Sequence, residues 1–167
     1  MCRRKRGRPS PVLAVSWTPK TEEWLLPAEG TVTSSCGERS SPILGETEFH
    51  DGLDIAVPEG TPVAAAKSGT VTSVRESETL GLAVTFVTAD GFEITYAHLR
   101  EALVSAGDSV KQGQTVALSG SSGWSTGPHL HYTVKKDGVI LDPMVFVDLP
   151  YTAEVEAEYA ARGEKMP

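Results

Sequence analysis

At 167 residues the chain holds one domain with a real core, because a chain near this size hides roughly two-thirds of its unfolded surface; a second domain does not fit. Sixteen glycines, 11 prolines and only 7% aromatic residues favour many short strands joined by tight turns and exclude a helix bundle. The net charge of −7 hides an asymmetry: residues 1–9 carry five of the 15 lysines and arginines, leaving ten basic against 22 acidic residues in the remainder, and so acidic a body excludes a grip on nucleic acid.

Residues 1–25 read as a basic, proline-punctuated, solvated tail in which Trp17 and Trp24 are late anchors. The stretch SPVLAVSW falls short of the ~18 apolar residues of a membrane span and does not make a legible signal peptide. With two cysteines, Cys2 and Cys36, no disulfide framework is visible and the compartment stays open.

From Leu26 the texture changes. Segments such as GTVTSV, LAVTFVTAD, FEITYAHL and HLHYTVKK are β-branched, alternate with period two and are separated by glycine turns such as Asp90-Gly91 and Asp137-Gly138. They predict a mostly β, single-domain antiparallel sandwich or half-barrel of short strands and hairpins over residues 26–148. The extension 149–167 contains the one good helix candidate, TAEVEAEYAARGEKMP, expected as a surface appendage. The pair AAKSGTVTSV and VSAGDSVKQGQTVA has the cadence of biotinyl- and lipoyl-carrier barrels, but Lys67 and Lys111 lack the hairpin-tip setting such carriers present for modification.

Chemistry concentrates on four histidines. His129 and His131 flank Leu130, and alternate residues of a strand share a face about 6.6 Å apart, so the pair suits two ligands on a metal, or one ligand and one group working on what the metal holds. His50 and Asp54, in HDGLD, are four apart. Gly52 and the following Ile55, Val57 and Pro58 argue against a helix there, and an extended strand would part the two by about 13 Å. A turn at Asp51-Gly52 brings them together. Two imidazoles and a carboxylate with a position left for solvent form the ligand set of a catalytic zinc site rather than a closed structural one. Taken alone, His98 in ITYAHLR reads as a hydrogen-bonded, partly buried residue, and His50 or Asp54 as turn chemistry.

HDGLD (50–54), YAHL (96–99) and STGPHLHYTV (125–134), in that order and with PEGTPVAAAKSGTV and GDSVKQGQTVALSGSSG between them, resemble the lysostaphin-type (LytM-like) zinc endopeptidases that cut peptide bonds in bacterial peptidoglycan. The resemblance runs from about Leu26 to Phe146. It implies one zinc ion per chain held by His50, Asp54 and His131, with His98 and His129 beside the water that the ion activates and sharing the roles of base and of partner to the oxyanion or leaving amine. It also implies a zinc metalloendopeptidase acting on stem peptides or cross-bridges outside the cytoplasmic membrane. No H-E-x-x-H motif offers a glutamate base. Where the family shows an aromatic residue this chain has Cys36, read as a small buried residue rather than a nucleophile. Trp124, in the glycine-serine loop before the histidine pair, is expected to line the peptide cleft. The rival reading is a non-catalytic cell-wall-binding, morphogenetic or signalling module of the same fold, acting with a membrane-associated protein partner.

Overall fold

In the computed structural model, which describes residues 2–3, 24–40 and 47–164, the alternating segments become strands, antiparallel in every ladder but that of the first. They are β1 (Cys2–Arg3), β2 (Thr31–Ser34), β3 (Gly37–Ser40), β4 (Thr47–His50), β5 (Leu53–Ala56), β6 (Pro62–Ala64), β7 (Gly69–Ser77), β8 (Gly81–Thr88), β9 (Phe92–Ala102), β10 (Ser109–Val110), β11 (Thr115–Ser119), β12 (Leu130–Lys136) and β13 (Val139–Leu141). A short 3-10 turn (Pro143–Val145) and one α-helix, α1 (Ala153–Ala161), follow. The mostly β, antiparallel fold with a short C-terminal helix is as the sequence predicts. Trp17 and most of the expected tail lie outside the described residues. Of that tail, Cys2–Arg3 runs parallel to β13 at the sheet edge.

The main sheet runs β13-β12-β9-β8-β7-β10. Two of its strands change partner along their length: the start of β12 pairs with β5, and the end of β9 pairs with β11. The histidines collect beside these exchanges. Along β12 the period of two sends Leu130, Tyr132 and Val134 into the core, all fully buried, while His131, Thr133 and Lys135 share the opposite face. The same logic buries Phe92, Ile94 and Tyr96 of β9. Each fully buried side chain of this size contributes roughly 1.5–3 kcal/mol of transfer free energy. Tyr96 satisfies its hydroxyl inside the core, donating to the Ala64 carbonyl at 2.8 Å and accepting from Ala66 N at 3.0 Å.

Trp24 closes one end of the core, stacked on Phe146 at 4.2 Å between ring centroids and edge-on to Phe92 at 5.0 Å. Lys67, one of the two lysines of the carrier-like pair, is drawn into an ion pair with Asp90 at 2.9 Å.

The helix α1 is more than the appendage expected of it. Val155 and Tyr159, four apart and therefore on one face, are buried against the core. The Tyr159 hydroxyl donates to the buried Asp142 carboxylate. Thr152 caps the helix, accepting from Val155 N, and its own N–H reaches the Val32 carbonyl at 3.2 Å. The amphipathic signal is weak because only these two residues face inward.

Candidate metal centre

The site is assembled from strand register. In the β5–β12 pair His131 stands directly opposite Asp54, and opposed residues of an antiparallel pair place their side chains on one face with Cβ atoms about 5 Å apart. His131 Nδ1 accordingly lies 3.1 Å from Asp54 Oδ1. His50 ends β4, and the turn at Asp51-Gly52 folds it back so that its Nε2 lies 3.2 Å from the same oxygen. The turn can lie this close to β12 only because residue 52 has no side chain: a Cβ there would stand 2.4 Å from the Tyr132 carbonyl oxygen.

His98 and His129 approach from the other side. Their rings lie 4.8 Å apart, and that of His98 is 5.8 Å from His131. His129 Nε2 is 3.5 Å from Asp54 Oδ1. His129 is placed by a bridge to Gly120. His98 sits at an irregularity: β8 and β9 are in register at Val84↔Tyr96 and again at Leu82↔Leu99, so β9 spends one residue more than β8 over the same span. This is a β-bulge. His98 adopts φ 60° there, a left-handed conformation that non-glycine residues seldom take and that concentrates at functional sites. Strict alternation would turn His98 away from the face of His131; the bulge turns it back.

Each of the four imidazoles has one nitrogen committed to an acceptor outside the cluster. His50 Nδ1 meets the Ser35 carbonyl at 2.9 Å, His98 Nδ1 the Ser122 carbonyl at 2.6 Å and His129 Nδ1 the Gly127 carbonyl at 2.9 Å. For His131 the committed nitrogen is Nε2, 2.9 Å from Asp51 Oδ1. Carbonyls and carboxylates accept only, so these nitrogens carry the hydrogens. The other nitrogen of three of the rings turns to Asp54: Nε2 of His50, Nε2 of His129 and Nδ1 of His131 lie 3.2, 3.5 and 3.1 Å from its Oδ1. The sequence gives no hint of Ser35 or Ser122 as partners and reads Asp51 as a turn residue alone, because each contact is made across the fold.

Burial works against a charge on His131, but the Asp51 and Asp54 carboxylates outweigh it and raise its pKa to about 9. Burial also opposes charge on Asp54, yet hydrogen bonds from His131 and His50 hold its carboxyl well below the usual range. His98 goes the other way: burial first, then the neighbouring His129 and His131, lower its pKa to about 4.

His50, Asp54 and His131 each offer one ligand atom, all within 4.8 Å of one another. Two neutral-capable imidazole nitrogens and one carboxylate oxygen, with the second nitrogen of each ring anchored, fit the donor set of a catalytic zinc ion. Cys36 is fully buried and disulfide-bonded, and no free cysteine stands among the described residues. The thiol expected there is not free, so it offers neither a nucleophile nor a competing soft ligand. Trp124 is 50% exposed in the loop before the histidine pair. On the face of the sheet beside His131 lies a groove of about 270 Å³ whose walls include Asp51, Thr85, Thr95, Thr133 and Lys135.

Residues 48–143, more than half of the chain, match the family model described as Peptidase family M23. The DD-carboxypeptidase/endopeptidase Mpg of Neisseria meningitidis is 40% identical over 130 residues, 78% of this chain and 30% of its own length. The peptidoglycan DD-endopeptidase ShyC of Vibrio cholerae is 38% identical over 112 residues, 67% of this chain and 26% of its own. The chain thus spans less than a third of the length of these curated relatives. Among solved structures, a zinc containing peptidase from Vibrio cholerae superposes with a TM-score of 0.65 at 32% identity, over 77% of this chain and 41% of the other. The lysostaphin catalytic domain from Staphylococcus simulans gives 0.65 at 33% identity over 70% and 91%. The SpoIIQ-SpoIIIAH pore forming complex gives 0.67 at 29% over 81% and 96%. A histidine-aspartate-histidine cluster on this antiparallel scaffold and a match through its core strands lead to one assignment: the chain belongs to peptidase family M23.

Proposed function

We propose that this chain is a zinc-dependent endopeptidase that hydrolyses peptide bonds in the stem peptides or cross-bridges of peptidoglycan. The observation that carries the reading is the convergence of His50, Asp54 and His131 within 4.8 Å, with two further histidines beside them whose outward nitrogens are already anchored. The likeness to ShyC, a peptidoglycan DD-endopeptidase, supports peptidoglycan as the substrate, and the likeness to the carboxypeptidase/endopeptidase Mpg supports peptide-bond hydrolysis. Residues 26–148 would form the peptidase unit, and 149–167 an extension packed on it.

His50 Nε2, Asp54 and His131 Nδ1 would hold a zinc ion, which would supply Lewis acidity and a water of pKa lowered toward ~7. The protein residues do the rest. His98 is held neutral at physiological pH by burial, and with its Nδ1–H given to Ser122 it accepts a proton at Nε2. His129, anchored by Gly127, presents Nε2 on the same side, where a protonated ring steadies an oxyanion or the departing amine. The groove beside His131, floored by threonines of β8, β9 and β12, accommodates an extended peptide, and Trp124 would line its approach.

A substrate of this kind places the protein outside the cytoplasmic membrane, and the disulfide at Cys36 fits an oxidising compartment. No helix among the described residues is long and apolar enough to cross a membrane. The likeness to the SpoIIQ-SpoIIIAH complex favours a second reading in which the domain serves a membrane-associated partner. The complete histidine and aspartate set favours catalysis over that role.

The test is digestion of purified peptidoglycan, with mass spectrometry of the released peptides and metal analysis of the same protein. New amino termini within stem peptides or cross-bridges, with about one zinc per chain, are the expected result. Intact peptides with binding to the wall retained would favour the non-catalytic reading.

A further inference from the structure

Asp51 lies in the turn between His50 and Gly52, and its side chain is 45% exposed. An aspartate in such a turn ordinarily bonds the backbone two residues on. Here its Oδ1 instead stands 2.9 Å from Nε2 of His131, 80 residues further along the chain. That imidazole is almost wholly buried, 6% exposed, and Nε2 is the nitrogen the ligand set leaves unused. A half-exposed carboxylate surrounded by water has no need of this partner; the ring does.

We propose that Asp51 is a positioning residue of the metal centre, its carboxylate accepting the Nε2–H of His131 and so fixing the tautomer and ring orientation that present Nδ1 to the ion. The role rests on the zinc reading above. A neutral imidazole has one N–H and two nearly equivalent places for it. The other three histidines lock the choice with a backbone carbonyl on Nδ1. Carboxylates face both nitrogens of His131, Asp54 at Nδ1 and Asp51 at Nε2; with Asp54 and Nδ1 turned to an ion, Asp51 is the acceptor left to hold the Nε2–H of this ring. An anionic acceptor also makes the ligand nitrogen more basic. Thr133 Oγ1, 3.2 Å from the same Nε2, assists but brings no charge.

Zinc affinity of the full chain, read by competition with a chromogenic chelator, tests this. Asp51→Ala is expected to weaken zinc binding about 10–100-fold. Asp51→Asn keeps an oxygen able to accept the Nε2–H and is expected to recover part of that loss; a residue acting only through its ion pair would give equal losses in both variants. Nitrogen-15 spectra of the zinc-loaded wild type are expected to show His131 protonated at Nε2 and His50, His98 and His129 protonated at Nδ1. Affinity within twofold of wild type in Asp51→Ala overturns the role of Asp51 while leaving the zinc site standing. So do equal losses in the Ala and Asn variants, as does metal on Nε2 of His131. Failure of the wild type itself to bind zinc overturns the zinc reading, and this role with it.

Discussion

Asp54 and His131 face each other across the β5–β12 ladder in direct register, so two candidate ligands come together by strand pairing rather than by a loop. Replacing either leaves the ladder hydrogen bonds intact. Asp54→Ala and His131→Ala are expected to lower zinc content from about one per chain to near zero and peptidoglycan hydrolysis to background, with the circular dichroism spectrum retained. Metal analysis and peptide release measured on one preparation check both.

His98 and His129 separate from the ligands in the same experiment. Each is expected to cost about 10²–10⁴ in turnover, the range for a positioned proton-transfer group, while zinc content stays near one per chain. Loss of metal in either variant would make it a ligand.

Stability of the metal-free protein should depend on pH through His131. Its folded pKa of about 9 lies above the ~6.5 of an unfolded histidine. The native state therefore binds more protons between those values, and stability falls as pH rises from about 6.5 to about 9, by on the order of 3 kcal/mol at most. Urea titrations of chelator-stripped protein at pH 6 and pH 9 measure the difference. Zinc uptake at pH 7 must displace that proton, and calorimetry in buffers of different ionisation enthalpy should register its release.

Gly52→Ala places a methyl 2.4 Å from a β12 carbonyl oxygen, and neither backbone can yield without breaking the ladder that sets His131 opposite Asp54. Destabilisation of about 1–3 kcal/mol and weaker zinc binding are expected together, from thermal melts with and without the ion.

Tyr159→Phe removes the hydroxyl that donates to Asp142, a carboxylate whose burial already raises its pKa to about 6. Leaving that acceptor short of a partner should cost about 1–3 kcal/mol. The melting temperature is expected to fall by a few degrees, with zinc content unchanged.

The strands and the clustering of His50, Asp54 and His131 are legible in the chain because both follow from local patterns. Alternation in HLHYTVKK fixes the face of His131, and the glycine in HDGLD announces the turn that joins His50 to Asp54. The placement of His98 was not legible: a bulge is a property of two strands in register, and nothing in YAHL alone marks residue 98 for φ 60°. The acceptors behind the rings, Ser35, Ser122 and Asp51, are likewise contacts made across the fold. The packing of α1 leaves little trace in the sequence, because a helix that buries Val155 and Tyr159 has little amphipathic pattern to read.

The most direct measurement strips the protein with a chelator, adds one equivalent of zinc, and follows peptides released from purified peptidoglycan by mass spectrometry before and after. Release that stops on stripping and returns with the single equivalent is the result predicted. Undiminished release from the stripped protein would contradict a catalytic ion held by His50, Asp54 and His131.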